Sequence, residues 1–157
     1  MDGKAIENRI LSTFADVAQA AGYSPLHGKI IGVLLVEGKA LSLQDIAKKT
    51  GYSHSMVSLS LDLLEFLGVI KRVKKTGDRK LYIRLSGDLL ETLKRAFTMK
   101  LEKSIGQTLL DFEENRKELG GLKGPEKARI SKTLDTLEKE VKRLERYINL
   151  LSKIKLP

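Results

Sequence analysis

The segment from Ile46 to Leu85 restricts the fold more than any other part of the chain. Ala47 stands four residues before Gly51, and Val57 six residues after it. Two short helices can cross closely only under three conditions. A small side chain must let the first lie against the second, the turn must tolerate a positive φ, and an aliphatic residue must seat the second helix. Ala47, Gly51 and Val57 supply these in order, and Ile46, Leu61 and Leu64 extend the apolar patch. Ser42 caps the first helix, LQDIAKKT; Ser53 caps the second, SHSMVSLSLDLLEFLG, which stops at Gly68. An aliphatic residue is usual three positions after Val57. Ser60 stands there instead, so Leu61 is expected to take over the packing, with a slightly rotated helix or a small gap.

Beyond Gly68 the pattern changes. VIKRVKKTGDRKLYIRL places β-branched residues on both sides of Thr76-Gly77-Asp78, which predicts a hairpin with strands near 69–74 and 80–85. A helix-turn-helix followed at once by a basic hairpin is a winged helix. The chain has 157 residues and a net charge of +9; residues 69–85 hold seven basic side chains and one acidic, a net +6. A charge excess focused this tightly points to a polyanion, most simply nucleic acid, against the plainer reading of a solvated lysine-rich hairpin. Lys74, Lys75, Arg79 and Lys80 surround the Gly77 turn.

The flanks read as helices. Ile6, Ile10, Leu11, Phe14, Val17, Ala18 and Ala21 fall at helical spacing over 4–21. Ser24-Pro25 opens an apolar helix that runs to about Glu37. A long helix is expected from about 88 to Glu118, then a break at Gly120, Gly121, Gly124 and Pro125, then a helix from Glu126 to Lys153. In the last of these, Ile130, Leu134, Leu137, Val141, Leu144, Ile148 and Leu151 step by four and three, a heptad seam flanked by Lys and Glu. Its partner is either residues 88–118 of the same chain or a second subunit. The expected fold is mainly α with a small β-hairpin, an α+β class. Residues 1–22 form an N-terminal helix that joins a dimer interface, 23–86 a winged helix-turn-helix domain, and 87–157 a long helical hairpin for dimerisation.

Several function classes are excluded. With no Cys, there is neither a disulfide nor a thiolate site. The histidines are His27 and His54, and no Asp/Glu cluster has ligand spacing, so no metal or other cofactor is expected. No glycine-rich phosphate loop opens a helix, and no nucleophile–base set can be assembled; the chain is not expected to be an enzyme. No apolar run approaches the length of a bilayer span, and MDGKAIENRI lacks the core of a signal peptide. A cytoplasmic protein without membrane partners is expected.

Residues 23–85 resemble the GbsR branch of the MarR-type transcriptional regulators. The matching pieces are the Ser-Pro opening of the apolar helix, Leu41-Ser42-Leu43, the Val57-Ser58 pair, LGVIKRV and the GDRK wing. The resemblance implies a homodimeric winged helix on double-stranded operator DNA, with the terminal helices as dimer interface, and admits a small-molecule effector. It implies that the second helix enters the major groove N-terminus first, with Ser53, His54, Ser55, Met56, Ser58 and Leu59 facing the bases. It implies that Arg79 enters the minor groove. The residues themselves add limits. Ser bonds phosphates or either base type, and Met and Leu can touch a thymine methyl, but no bidentate Arg–guanine or Asn–adenine pair is available. Direct readout is therefore expected to be modest. Asp78 is expected to hold the turn or orient Arg79. The helix starts at Ser42 and Ser53 offer backbone N–H groups to phosphates as well as caps. The expected activity is that of a regulator, a repressor by preference, on pseudo-palindromic DNA. The alternatives are a winged-helix protein-interaction module and a non-specific nucleic-acid-binding architectural protein.

Overall fold

The computed structural model describes residues 2–157. The elements are α1 (Gly3–Ala20), α2 (Pro25–Glu37), β1 (Leu41–Ser42), α3 (Leu43–Thr50), α4 (His54–Phe66), β2 (Ile70–Lys74), β3 (Leu81–Leu85), α5 (Leu89–Leu119) and α6 (Pro125–Lys153). They divide into two compact units, Met1–Leu93 and Lys94–Pro157. The α+β class and the helix-turn-helix with its basic hairpin are as expected, and the strands match the predicted hairpin to within a residue.

The helix boundaries follow from their caps. Hydroxyls of Ser24, Ser42 and Ser53 accept hydrogen bonds from the amides of Leu26, Asp45 and Met56 at 3.3, 3.2 and 3.2 Å. Each satisfies one of the amides that a helix start leaves unpaired. Gly51 closes α3 with φ 78°, the left-handed turn that the spacing from Ala47 requires. Ala47 is buried against the neighbouring elements, and Val57 is completely covered.

The core of the first unit joins helix and sheet. Ile30 on α2, Ile46 on α3, Val57 and Leu61 on α4, and Val69, Ile70 and Ile83 around the hairpin have 2 % or less of their surface exposed. Burying an aliphatic side chain of this size is worth about 2 kcal/mol relative to leaving it in water. α1 packs on α2 through two glycines one turn apart. A Cβ on Gly28 would overlap the Phe14 carbonyl, and one on Gly32 would lie 3.3 Å from the Leu11 Cα. Small residues there let the two backbones approach. As a result α1 turns Leu11, Phe14 and Ala15 inward, and leaves Ile6, Ile10 and Val17 exposed.

Two features depart from expectation. The sheet has three strands in the order β1-β3-β2, all antiparallel. Leu41 and Ser42 pair with Ile83 and Tyr82, so Ser42 both caps α3 and lies in the sheet. A two-residue strand carries no periodicity, and its partner lies about forty residues further along. The second departure is Ser60. Leu61 packs inward as expected, but Ser60 is buried beside it: Val57, Ser60, Leu61 and Leu64 all face inward, with Ser60 4 % exposed. Its Oγ has no hydrogen-bond partner among the described residues.

In the second unit α5 and α6 run antiparallel. Lys94 Nζ near the start of α5 donates to the Ile154 carbonyl at 2.7 Å, and Arg116 near its end pairs with Asp135 at 2.8 Å and with Glu138. The buried stripe of α6 is rotated from the expected seam. It follows Leu134, Glu138, Val141, Glu145, Ile148 and Ser152, all buried or half-buried. Leu134 and Ile148 are thus buried within the chain, and Ile130, Val141 and Leu151 are half-buried. Leu137 and Leu144 remain 44 % and 46 % exposed.

The desolvated hydroxyl makes a direct prediction. A buried polar group without a partner costs about 1–3 kcal/mol. Ser60→Ala should raise the unfolding free energy by about 1 kcal/mol, seen as a higher urea midpoint at unchanged slope.

Candidate nucleic-acid interface

Two surfaces make up the site, the front of α4 and the hairpin. On α4 the first turn is polar. Ser53, His54 and Ser55 are exposed, and Ser53 Oγ lies 3.3 Å from Ser55 Oγ. Met56 is 49 % and Leu59 72 % exposed, and Ser58 is half-buried. Ser42 lies apart from this group. It is 7 % exposed, within β1, with its hydroxyl committed to the Asp45 amide.

The junction between the two surfaces is built from Gly68 and Arg72. The Gly68 amide donates to the Glu65 carbonyl at 3.0 Å, and the Val69 amide to the Leu64 carbonyl at 2.9 Å. With Gly68 at φ 79°, this is a Schellman cap, which satisfies the last carbonyls of α4 and turns the chain directly into β2. Val69 and Leu64 are both buried at that corner. Arg72 then reaches back from β2. Its Nη2 bonds Asp62 at 2.8 Å and its Nη1 bonds Glu65 at 2.7 Å. The Arg72 side chain is 23 % exposed, while its partners Asp62 and Glu65 are 64 % and 45 % exposed, so the fork gains from its two-carboxylate geometry more than from burial.

The tip of the hairpin is held by its own network. The Asp78 amide donates to the Lys75 carbonyl at 3.1 Å, which closes a turn around Thr76 and Gly77. Asp78 Oδ1 accepts from the Lys80 amide at 2.9 Å, and Oδ2 from the Tyr82 hydroxyl at 2.6 Å. Lys75 Nζ sits 4.0 Å from the centre of the Tyr82 ring. The Tyr82 hydroxyl, and then the Lys80 amide, hold the Asp78 carboxyl below its ordinary range; Asp78 in turn pushes the Tyr82 hydroxyl up. Asp78 therefore holds the turn. Lys74, Lys75, Arg79 and Lys80 are all exposed around it.

Sequence reasoning missed Arg72 and Tyr82. Arg72 was one of seven cations in the hairpin, and charge alone did not separate it. The available signal was on α4, where Asp62 and Glu65 lie three residues apart with no cation on that helix to balance them. Lys71 and Arg84 were missed as well. They are exposed and directly opposite each other across β2 and β3, a like-charge pair that adds to the positive field of the hairpin. Among the described residues no group of His, Asp and Glu could hold a metal ion. A cleft of about 490 Å³ between α1, α2 and α3 includes Lys4, Glu7, Glu37, Asp45, Lys48 and Lys49 in its lining. Its charges balance, and Lys49 and Glu37 pair at 2.6 Å, so it favours no one charge class of ligand.

The clasp at the tip predicts a pH response. Asp78 is depressed, so its contribution is present above the ordinary carboxyl value of 3.8 and lost as pH falls through its lower folded value. Tyr82 is raised, so its contribution is present below 10.0 and lost as pH climbs through its higher folded value. Tyr82→Phe should move the Asp78 carboxyl back up toward its ordinary value. A carbon-detected NMR titration of Asp78 checks this; an unmoved carboxyl would mean that the tyrosine is not its main partner.

No protein-family model matches the chain, and no curated protein matches it. Among solved structures, a transcriptional regulator superposes with a TM-score of 0.64 at 18 % identity, covering 94 % of this chain and 96 % of that one. A Staphylococcus aureus MepR mutant bound to an oligodeoxyribonucleotide gives a TM-score of 0.45 at 20 % identity, over 88 % and 94 % of the two chains. NadR in complex with 4-hydroxyphenylacetate gives 0.43 at 18 % identity, over 76 % and 89 %. The first of these, at 18 % identity, shows the fold and nothing finer. The chain therefore has, over nearly its whole length, the fold of a solved transcriptional regulator, built on a winged helix-turn-helix.

Proposed function

We propose that the protein is a DNA-binding transcriptional regulator, a repressor of the GbsR branch of the MarR type, that grips pseudo-palindromic operator DNA as a homodimer. One observation carries the reading. A cationic hairpin with a braced tip is tied to the helix that would enter the major groove, by the Gly68 cap and the Arg72 fork. Such a pair presents a helix front and a wing to one duplex as a preformed unit. The helix start at Ser53 offers backbone amides to a phosphate, and the Ser53, His54, Ser55 and Ser58 side chains provide short polar contacts. Ser42, being buried, contributes through the start of α3 rather than through its hydroxyl. Lys74, Lys75 and Lys80 contact the backbone, and Arg79 enters the minor groove. A small molecule that alters the helix geometry would modulate binding.

Dimerisation is supported by apolar rows that the chain leaves uncovered. Ile6, Ile10 and Val17 on α1, and Leu137, Leu144 and Tyr147 on α6, are 37–61 % exposed. Two-fold symmetry would set two copies of α4 about one DNA turn apart. In this reading Ile130, Leu134, Val141, Ile148 and Leu151 support the interface from the α5 side, and Leu137 and Leu144 form its contact row.

A second reading draws on Leu59 and Phe66, 72 % and 73 % exposed on the outer side of α4. Apolar groups this open suit a protein-docking module. Mobility shift on genomic fragments separates the two, and absence of binding even at low salt would sink the regulator. Footprinting separates a site-reading regulator from an architectural protein that coats DNA evenly.

Two outcomes follow. Arg79→Ala should weaken operator binding about tenfold and lower the salt slope by about two, one for each wing of the dimer; unchanged affinity removes Arg79 from the interface. Leu137→Asp with Leu144→Asp should convert a dimer to a monomer in sedimentation equilibrium, and a wild-type monomer would defeat the dimer.

A further inference from the structure

We infer that Met56 and Leu59 make this protein a reader of thymine methyl groups. The inference rests on the DNA-binding function proposed above and names the base feature that its recognition helix selects.

The outward side of α4 is defined by what it lacks. From Ser53 to Gly68 there is no Lys, Arg, Asn or Gln, the side chains that bond guanine or adenine edges in bidentate fashion. The segment has two carboxylates that could accept from a cytosine amino group, Asp62 and Glu65, and both are already bonded to Arg72. The Ser53 hydroxyl is committed to the Met56 amide and lies beside Ser55. Discrimination by hydrogen bonds is therefore left to a few serines and His54, none of them a bidentate partner for one base.

What the front offers instead is apolar surface. Met56 is 49 % and Leu59 72 % exposed. Three residues apart, they lie about 60° from each other around the helix axis. Leu59 faces away from the side that buries Val57, Leu61 and Leu64, and Met56 lies on the flank between, about 100° from Val57. Such a surface gains free energy only where an apolar group covers it. On the base edges of the major groove that group is the C5 methyl of thymine. A helix front with this composition distinguishes thymine from cytosine by a methyl group rather than by a donor or acceptor. Burying one methyl is worth about a fourfold change in Kd, so one methyl in each of two half-sites gives about fifteenfold.

The test uses the full chain and a duplex chosen by selection from random DNA. That duplex is resynthesised with deoxyuridine in place of thymine, which removes the methyl and keeps every hydrogen-bonding group. Fluorescence anisotropy should show wild-type Kd rising about fifteenfold on the uracil duplex. The Met56→Ala/Leu59→Ala double variant should bind both duplexes within about twofold, at an affinity near that of wild type for uracil DNA. Both side chains are exposed, so the variant keeps its fold, which circular dichroism verifies. Equal wild-type affinity for the two duplexes overturns the inference. So does a double variant that keeps the preference, because the methyl would then act through DNA shape. A wild-type protein that binds no DNA at all defeats the regulator reading itself, and leaves the apolar front to a protein partner.

Discussion

The corner where α4 becomes β2 is the constraint on which the rest of the first unit depends. Under the proposed function the helix and the hairpin meet one duplex together, and a spacing set in advance spares the conformational entropy that ordering them on binding would cost. Gly68 sets the turn with two backbone hydrogen bonds, and Val69 and Leu64 pack beneath it. Arg72 adds a fork across the same corner to Asp62 and Glu65. The first is local chemistry of the chain; the second joins residues seven and ten positions apart on different elements. Together they leave the hairpin little freedom to swing against the helix.

The same fork changes the electrostatics of the helix. Under the proposed function, unpaired carboxylates on this helix would repel the polyanion. Arg72 neutralises them in place, so the front of α4 presents small hydroxyls and apolar groups. The hairpin tip presents Lys74, Lys75, Arg79 and Lys80. In the proposed function, affinity and selectivity would thus be separated in space. At the tip Asp78 is bonded to the Tyr82 hydroxyl and the Lys80 amide; it keeps its charge, and the hairpin stays strongly cationic because seven basic side chains outnumber it.

In α1 and α6 apolar residues outnumber the positions their own neighbours can cover. α1 spends Leu11, Phe14 and Ala15 on α2, where the glycines admit it, and has Ile6, Ile10 and Val17 left over. α6 spends Leu134 and Ile148, and has Leu137 and Leu144 left over. Under the proposed function these leftover rows are what a second copy would cover.

Much of this was legible in the residues. Ala47, Gly51 and Val57 announced the helix crossing because each contact there accepts few side chains, and the serine caps and glycine stops placed the helix ends to within a residue or two. The concentration of charge in 69–85 marked the hairpin as the cationic surface. Other features depended on residues distant in sequence. β1 exists only because β3 returns beside it. Ser60 looked like a position that packing would avoid, and only the fold shows its hydroxyl facing inward unpaired. The heptad seam of α6 read as one row, and the structure divided it, because the buried stripe runs through Glu138 and Glu145 rather than Leu137 and Leu144. Local sequence determined which segments become helix, strand and turn, since caps, glycines and periodicity act within a few residues. Tertiary structure decided which face of each element is covered and which cation meets which carboxylate, since those depend on what the chain brings alongside.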